Sequence, residues 1–355
     1  MTDAHQSGSS VLAGYQRILL IRLSALGDTL AATPAAQVVK EALPNVHLGW
    51  VVSTAAFPIV EGNPHIDDIY IWDGRLRTLP QLAGLIRRDG YEVSVDLQGL
   101  LKSSVIAWLA KIPRRISFAN SREGSRFFAT DCIPVKIRYP SGASRTLSLL
   151  AALGLPVSLE RHRMLLPLSD RHRQVALEQL NRWNLTPKSF AVLAPATTRP
   201  QKHWPVERWS QLADGLRQRL GLPSLLLGSP SDRALLEVIS SSARTPIPHL
   251  WHLSLKEAGA LIEQALVLIG PDSFPIHAAN ALGTYTVALF GSTSGDRFRS
   301  EPAVRVLEHP LPCRPCGRRP TCGGAFPCMR LITVEEVIGA VDSLTQLSYR
   351  KWLSS

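Results

Sequence analysis

Short β-branched or leucine-rich runs alternate with stretches of helical period along nearly the whole chain, and the alternation runs through twice. In the first series RILLIRL (17–23), HLGWVVS (47–53), DDIYIW (67–72) and YEVSVDL (91–97) read as strands, with helical patterns over 29–44, 76–89 and 101–111. In the second, FAVLAP (190–195), PSLLLGS (223–229), ALVLIG (265–270) and YTVALFG (285–291) read as strands, with helices over 205–221, 231–242 and 254–265. A strand, a helix and a further strand make a βαβ unit, whose crossover imposes parallel pairing. The chain is therefore expected to be α/β, with two Rossmann-like halves built on parallel sheets. Two such halves facing a central cleft would be the GT-B architecture.

The expected division is a disordered lead-in over 1–16, a first domain over 17–165, a connection over 166–188, a second domain over 189–330 and a C-terminal helix over 331–355. A length of 355 residues suits two domains. No apolar run reaches the roughly 20 residues that span a bilayer. The N-terminal stretch MTDAHQSGSSVLAGYQR lacks the basic and apolar regions of a signal peptide. The net charge of +11 suits an anionic partner or an acidic membrane surface. Aromatic residues are 6% of the chain and do not interleave with basic ones, so a nucleic-acid platform is not expected.

In parallel α/β sheets, ligands bind outside the carboxyl ends of the strands, so the loops after strands are where chemistry is sought. After the first strand, RLSALGDTL places Gly27 and Asp28 at a helix start. Asp28 serves there either as a cap or first-turn acid, or as a carboxylate able to accept a proton. After FAVLAP, the stretch ATTRPQKHW brings Thr197, Thr198 and Lys202 ahead of a helix beginning near Pro205. This is either a polar loop or an anion site made from hydroxyls, an ammonium and backbone N–H groups. Trp204 and Trp209 read as core anchors. GPDSFPIHAANAL sets Asp272, Ser273 and His277 at the next helix start, as caps and an interior histidine or as ligand contacts. LLLGSPSDR puts Asp232 after a strand, where an acid could meet ribose hydroxyls. FGSTSGD adds Gly291, Ser292 and Thr293. In the first half DLQGLLKSS supplies Asp96, Gln98 and Lys102, and further along come Arg114, Arg115, Arg122, Arg126 and Arg145, which are surface solvation or an anion-binding cluster.

Taken together, RLSALGDTLAATPA, YEVSVDLQGLLKSS, ATTRPQKHWPVERW, GPDSFPIHAANAL and VALFGSTS resemble the ADP-heptose–lipopolysaccharide heptosyltransferases of glycosyltransferase family 9. The resemblance runs from about residue 17 to the C-terminal helix. It implies a GT-B fold and inverting glycosyl transfer that needs no metal or other cofactor for catalysis. It assigns Asp28 as general base and Thr197, Thr198 and Lys202 to the donor diphosphate. Asp272 would hold the heptose hydroxyls, with Ser273 and His277 beside it on the phosphate and Asp232 on the adenosine ribose. Lys102, Arg122 and Arg145 would bind the acceptor. The implied partners are ADP-heptose and a phosphorylated or Kdo-bearing lipopolysaccharide inner core, met by a cytoplasmic protein at the anionic face of the inner membrane, with no nucleic acid. Phe274 stands where the family usually has glycine, and Ser141 where many relatives have histidine.

Of five cysteines, Cys132 lies among apolar neighbours and is expected to be a buried structural thiol. The other four, Cys313, Cys316, Cys322 and Cys328, have the C-x2-C-x5-C-x5-C spacing. That spacing suits a structural zinc or iron, a disulfide pair or free thiols. Other readings carried by these features are a GT-B sugar-nucleotide epimerase, a related transferase with another donor or a protein acceptor, and a zinc-ribbon nucleic-acid binder.

Overall fold

The computed structural model describes residues 10–353 apart from 137, 138, 140 and 142. The chain divides into two compact units between Pro167 and Leu168. The first contains strands β1 (Arg17–Ile21), β2 (His47–Ser53), β3 (Asp68–Trp72), β4 (Val93–Asp96), β5 (Arg114–Phe118) and β6 (Asp131–Ile133). Its helices are α1 (Leu26–Leu30), α2 (Pro34–Ala42), α3 (Phe57–Val60), α4 (Leu79–Arg88), α5 (Leu101–Leu109) and α6 (Ser144–Ala152). All six strands pair in parallel, in the order β3-β2-β1-β4-β5-β6. Both faces of the central strands are buried, so β1 reads as an unbroken apolar run after Arg17, while β4 (Val-Ser-Val-Asp) is buried throughout although every second residue is polar.

The helix expected over 29–44 is instead α1 and α2, broken at Ala31–Thr33. Pro34 has no N–H to give the Leu30 carbonyl, and the Thr33 hydroxyl donates to that carbonyl at 2.8 Å. Part of the expected lead-in is packed: Leu12 is fully buried and the Val11 N–H donates to the Leu153 carbonyl at 2.9 Å. Residues 1–9 lie outside the described residues.

Cys132 contradicts its reading as a buried thiol. It is exposed, because β6 is a three-residue strand at the edge of the sheet with only one neighbour.

The second unit opens with α7 (Asp170–Arg182), inside the stretch read as a connection. Arg173 of α7 pairs with Glu263 at 2.8 Å. There follow β7 (Ala191–Leu193), α8 (Val206–Leu220), β8 (Ser224–Leu227), α9 (Arg233–Ser242), β9 (His249–Leu250), α10 (Leu255–Gln264), β10 (Val267–Pro271), α11 (Phe274–Ala281), β11 (Tyr285–Leu289), β12 (Val304–Leu307), α12 (Pro327–Arg330) and α13 (Val334–Leu353). The strand order is β12-β11-β10-β7-β8-β9, again all parallel.

Local chemistry sets the helix ends. Ser254 and Glu257 cap α10 reciprocally, with the Ser254 N–H donating to Glu257 at 2.7 Å. Gly221 closes α8 at a φ of +63°, which a side chain would strain. The last helix packs back on α8 so closely that a β-carbon on Gly215 would stand 2.5 Å from Ile338 Cδ1. Trp204 and Trp209 are core, 1% exposed each, meeting edge to face at 5.0 Å.

Renumbered within its unit, each sheet has the order 3-2-1-4-5-6. The connections leave in opposite directions between the first and fourth strands, which opens a crevice at their carboxyl ends. In the first unit the loops at that crevice follow β1 and β4. In the second they follow β7 and β10.

Candidate active site

The crevice of the first unit holds Asp28 in the first turn of α1. The N-cap residue of α1 is Ala25, whose methyl group makes no cap hydrogen bond. The Asp28 carboxylate pairs with Arg22, Nη2 to Oδ2 at 3.0 Å. Arg22 is buried, and its other terminal nitrogen donates to the Leu97 carbonyl beyond β4 at 2.8 Å. One guanidinium therefore ties the Asp28 carboxylate to the neighbouring loop, while half of the Asp28 side chain stays open to solvent.

The loop after β4 is rigid for a visible reason. The Asp96 carboxylate accepts the Gln98 and Gly99 N–H groups, each at 2.9 Å, and the Ser103 and Ser104 hydroxyls at 2.9 and 2.8 Å. Burial pushes the Asp96 carboxyl up, and these four donors act against it. Asp96 is thus a scaffold. It presents Gln98, whose side-chain oxygen accepts the Leu23 N–H at 2.8 Å, and Lys102, whose Nζ donates to Ser24 Oγ at 3.1 Å. Arg145 reaches in from α6 to the Gln98 carbonyl at 3.4 Å. Although the residue as a whole is exposed, its guanidinium lies 4.2 Å from the Phe118 ring centre. Desolvation, then the charges of Arg22 and Arg122, hold its pKa below the ordinary arginine value. Arg122 is exposed, its N–H fixed to the Gly99 carbonyl at 3.0 Å. Asp28, Lys102, Arg122 and Arg145 therefore belong to one neighbourhood.

In the second unit the crevice centres on Asp272, which follows β10 and is 8% exposed. Lys202 Nζ lies 2.5 Å from its Oδ2 and donates also to its backbone carbonyl at 3.1 Å. Arg297 reaches Oδ1 at 3.1 Å, and the Thr293 hydroxyl donates to Oδ2 at 2.8 Å. Burial alone would raise this carboxyl, but Arg297 and Lys202 outweigh it and hold Asp272 down at about 2. His277, buried on α11, stands 3.2 Å from Arg297 and 4.0 Å from Asp272, its ring meeting Phe298 edge to face. Ser273 is the N-cap residue of α11 but makes no side-chain cap bond.

Thr197 and Thr198 lie on the loop leading to Lys202, and His203 buttresses that loop through the Thr197 carbonyl at 2.9 Å. The sequence reading thus brought Lys202, Asp272 and His277 to one place but missed Arg297, which lies in a 3-10 turn after β11. Its signal was position: Asp296-Arg297 closes the loop after another central strand. Asp232 is otherwise engaged, accepting the Ser229 N–H and hydroxyl at 2.8 and 2.6 Å in a local capping arrangement.

The cysteine-rich segment braces both of these loops. Gln201, next to Lys202, donates to the Gly317 carbonyl at 3.0 Å, and the Gly317 N–H donates to the Ser292 carbonyl at 2.8 Å. Buried Arg314 donates to the carbonyls of Gly291 and Thr293 and pairs with Glu308 at 2.6 Å. The four thiols are not drawn into a coordination shell. Among the described residues no group of three or more His, Cys, Asp or Glu stands close enough to hold a metal ion, and all five cysteines are free.

A family model described as "Glycosyltransferase family 9 (heptosyltransferase)" matches residues 81–323, more than half of the chain. Lipopolysaccharide heptosyltransferase 1 of Pseudomonas aeruginosa is 28% identical over 335 residues, covering 86% of this chain and 87% of that protein. A glycosyltransferase family 9 structure from Veillonella parvula superposes with a TM-score of 0.78 at 24% identity, over 93% of this chain and 97% of the other. The ADP-heptose lipopolysaccharide heptosyltransferase II of E. coli does so with a TM-score of 0.76 at 21% identity, over 94% and 99%. These two likenesses establish the fold.

Proposed function

The chain belongs to glycosyltransferase family 9, the heptosyltransferases, and from that premise we propose that it moves heptose from ADP-L-glycero-D-manno-heptose to an anionic lipopolysaccharide inner-core acceptor, inverting the anomeric centre. The observation that carries the reading is Asp272, kept ionised between Lys202 and Arg297 at the crevice of the second sheet. A buried, charged acceptor of hydrogen bonds suits sugar hydroxyls. Lys202 beside it suits a diphosphate.

In this mechanism the donor diphosphate lies against Lys202, Thr197, Thr198 and the N-terminal N–H groups of α11. As the anomeric C–O bond breaks, charge gathers on the β-phosphate, and these donors stabilise it without reorganising. Asp272 holds the heptose hydroxyls, Ser273 and His277 beside it meet the phosphate, and Asp232 turns to the ribose. Asp28 takes the proton of the acceptor hydroxyl as its oxygen attacks the opposite face of the sugar. Arg22 keeps that carboxylate aimed, and Lys102, Arg122 and Arg145 meet the acceptor's phosphate or carboxylate groups. No step runs through a metal. No helix among the described residues is long and apolar enough to cross a membrane. In this reading the lipid-bearing acceptor is met at the cytoplasmic face of the inner membrane.

The test is to incubate the protein with ADP-heptose and a heptose-deficient core lipid and to follow ADP release and product mass. Transfer that disappears in Asp28→Ala supports the reading. Absence of transfer by the unaltered protein, or full transfer by Asp28→Ala, sinks it.

A further inference from the structure

We propose that the outward face of α5, together with the turn Ser125–Phe128, docks on an anionic lipid bilayer. On α5, Ser103, Ser104, Ile106 and Ala107 face the core, as an amphipathic helix requires. The opposite face is apolar as well. Leu101, Val105 and Trp108 follow one another at i, i+4 and i+7, with Leu101 40% and Trp108 50% exposed. The adjoining turn continues this surface. The Phe128 ring meets Trp108 edge to face at 5.5 Å, and Phe127 is 77% exposed. Single apolar side chains on a surface need no explanation, but a helix face joined to an aromatic turn is a patch.

Charge identifies what covers it. Residues 101–128 contain six lysines and arginines against one acid, Glu123. Arg114 and Arg115 are tied to Asp131 and the Phe128 carbonyl. Lys102, Lys111, Arg122 and Arg126 remain exposed around the apolar patch, and the Arg126 guanidinium lies 5.1 Å from the Phe127 ring centre. An apolar centre with tryptophan and phenylalanine and a basic rim matches the interface of a bilayer with anionic head groups. A second copy of this chain would bring the basic rim against itself.

The patch begins at the first residue of α5, and Lys102 beside it reaches Ser24 in the loop that carries Asp28. A lipid-anchored acceptor could keep its chains in the bilayer while its sugars reach that loop. The inference rests on the proposed function only for this last point.

The test is sedimentation of the full chain with vesicles of phosphatidylcholine, with and without phosphatidylglycerol, and no acceptor present. Binding is expected only to the anionic vesicles and should weaken as salt is raised. Phe127→Ser should reduce partitioning about tenfold, the size expected for one lost phenylalanine burial, and Lys111→Glu combined with Arg126→Glu should do the same. Equal binding to neutral vesicles, or undiminished binding by Phe127→Ser, overturns the proposal. So does self-association or DNA binding that Phe127→Ser abolishes.

Transfer to a lipid-free core oligosaccharide should be unchanged in Phe127→Ser, whereas transfer to the vesicle-embedded acceptor should fall. An unaltered protein that transfers to neither acceptor refutes the function while leaving the vesicle result to stand on its own.

Discussion

The Lys202 ammonium and the Asp272 carboxylate meet at 2.5 Å, and through them the loop after β7 is fastened to the loop after β10. Two residues assigned to different parts of one donor are thus already bonded to each other. The ammonium has three protons and gives two to Asp272, one to its carboxylate and one to its carbonyl. A diphosphate would take the third.

Replacing Lys202 by methionine keeps the stem and removes the charge. Transfer should fall by about 100- to 1,000-fold, the usual effect of losing one donor to developing negative charge. ADP affinity measured by calorimetry should fall as well. An unchanged ADP affinity would show that the lysine serves Asp272 alone.

Asp272 sets an acid limit on the second unit. Its carboxyl is held at about 2 against an ordinary 3.8. A depressed native value contributes stability that is present above the unfolded value and lost as pH falls through the folded one. The window is therefore between about 4 and 2, and its full size is on the order of 2 kcal/mol. Urea midpoints measured down this range should fall less steeply for Asp272→Asn than for the unaltered chain. At neutral pH the variant should be the less stable of the two, because Lys202 and Arg297 lose the charge they share.

Asp28→Asn preserves shape and removes the base. Transfer should fall by about 100- to 10,000-fold, the range that general bases contribute. ADP affinity should stay unchanged, because the assigned donor contacts lie in the other unit. A parallel loss of ADP binding would contradict the division of labour between the two crevices.

Gly49 tests the packing under the first crevice. A β-carbon there would stand 2.2 Å from the Tyr91 hydroxyl and 2.9 Å from Leu19 Cδ1. Tyr91 is 3% exposed and bonded to Tyr70 and Asp68, so it has little room to yield. Gly49→Ala should cost about 1–3 kcal/mol by overpacking, read as a lowered midpoint of thermal unfolding.

Thiol chemistry separates the readings of the cysteines. Exposed Cys132 should react first with a disulfide reagent, and buried Cys328 last, since desolvation pushes its thiol up. Joint protection of Cys313, Cys316, Cys322 and Cys328, released by a chelator, would instead establish a metal shell.

How much of this could be read beforehand differs by element. The central strands were legible because burial on both faces leaves continuous apolar runs such as RILLI and VLIGP. Strands β5, β6, β9 and β12 were not. β5, β6 and β9 begin with charged or polar residues, β6 and β9 are only three and two residues long, and β12 is interrupted by Arg305, so their pairing comes from the neighbouring strand rather than from their own composition. Asp28 and Lys202 were legible from their place after a strand. Arg297 was not, since an arginine in a short loop resembles any solvated one until the fold carries it to Asp272. Cys132 misled for the opposite reason: apolar neighbours in sequence do not fill the open side of an edge strand.

The shared strand order has a consequence for variation. In both sheets most loops with assigned chemistry leave inner strands, while β3, β6, β9 and β12 stand at the margins. The segments after β6 and β12 are tied to the crevices through Arg145, Arg314 and Gly317, but the crossovers after β3 and β9 can lengthen, shorten or change composition without moving them. A descendant of this chain could therefore acquire new peripheral decoration, and with it new acceptors, while its donor machinery drifted hardly at all.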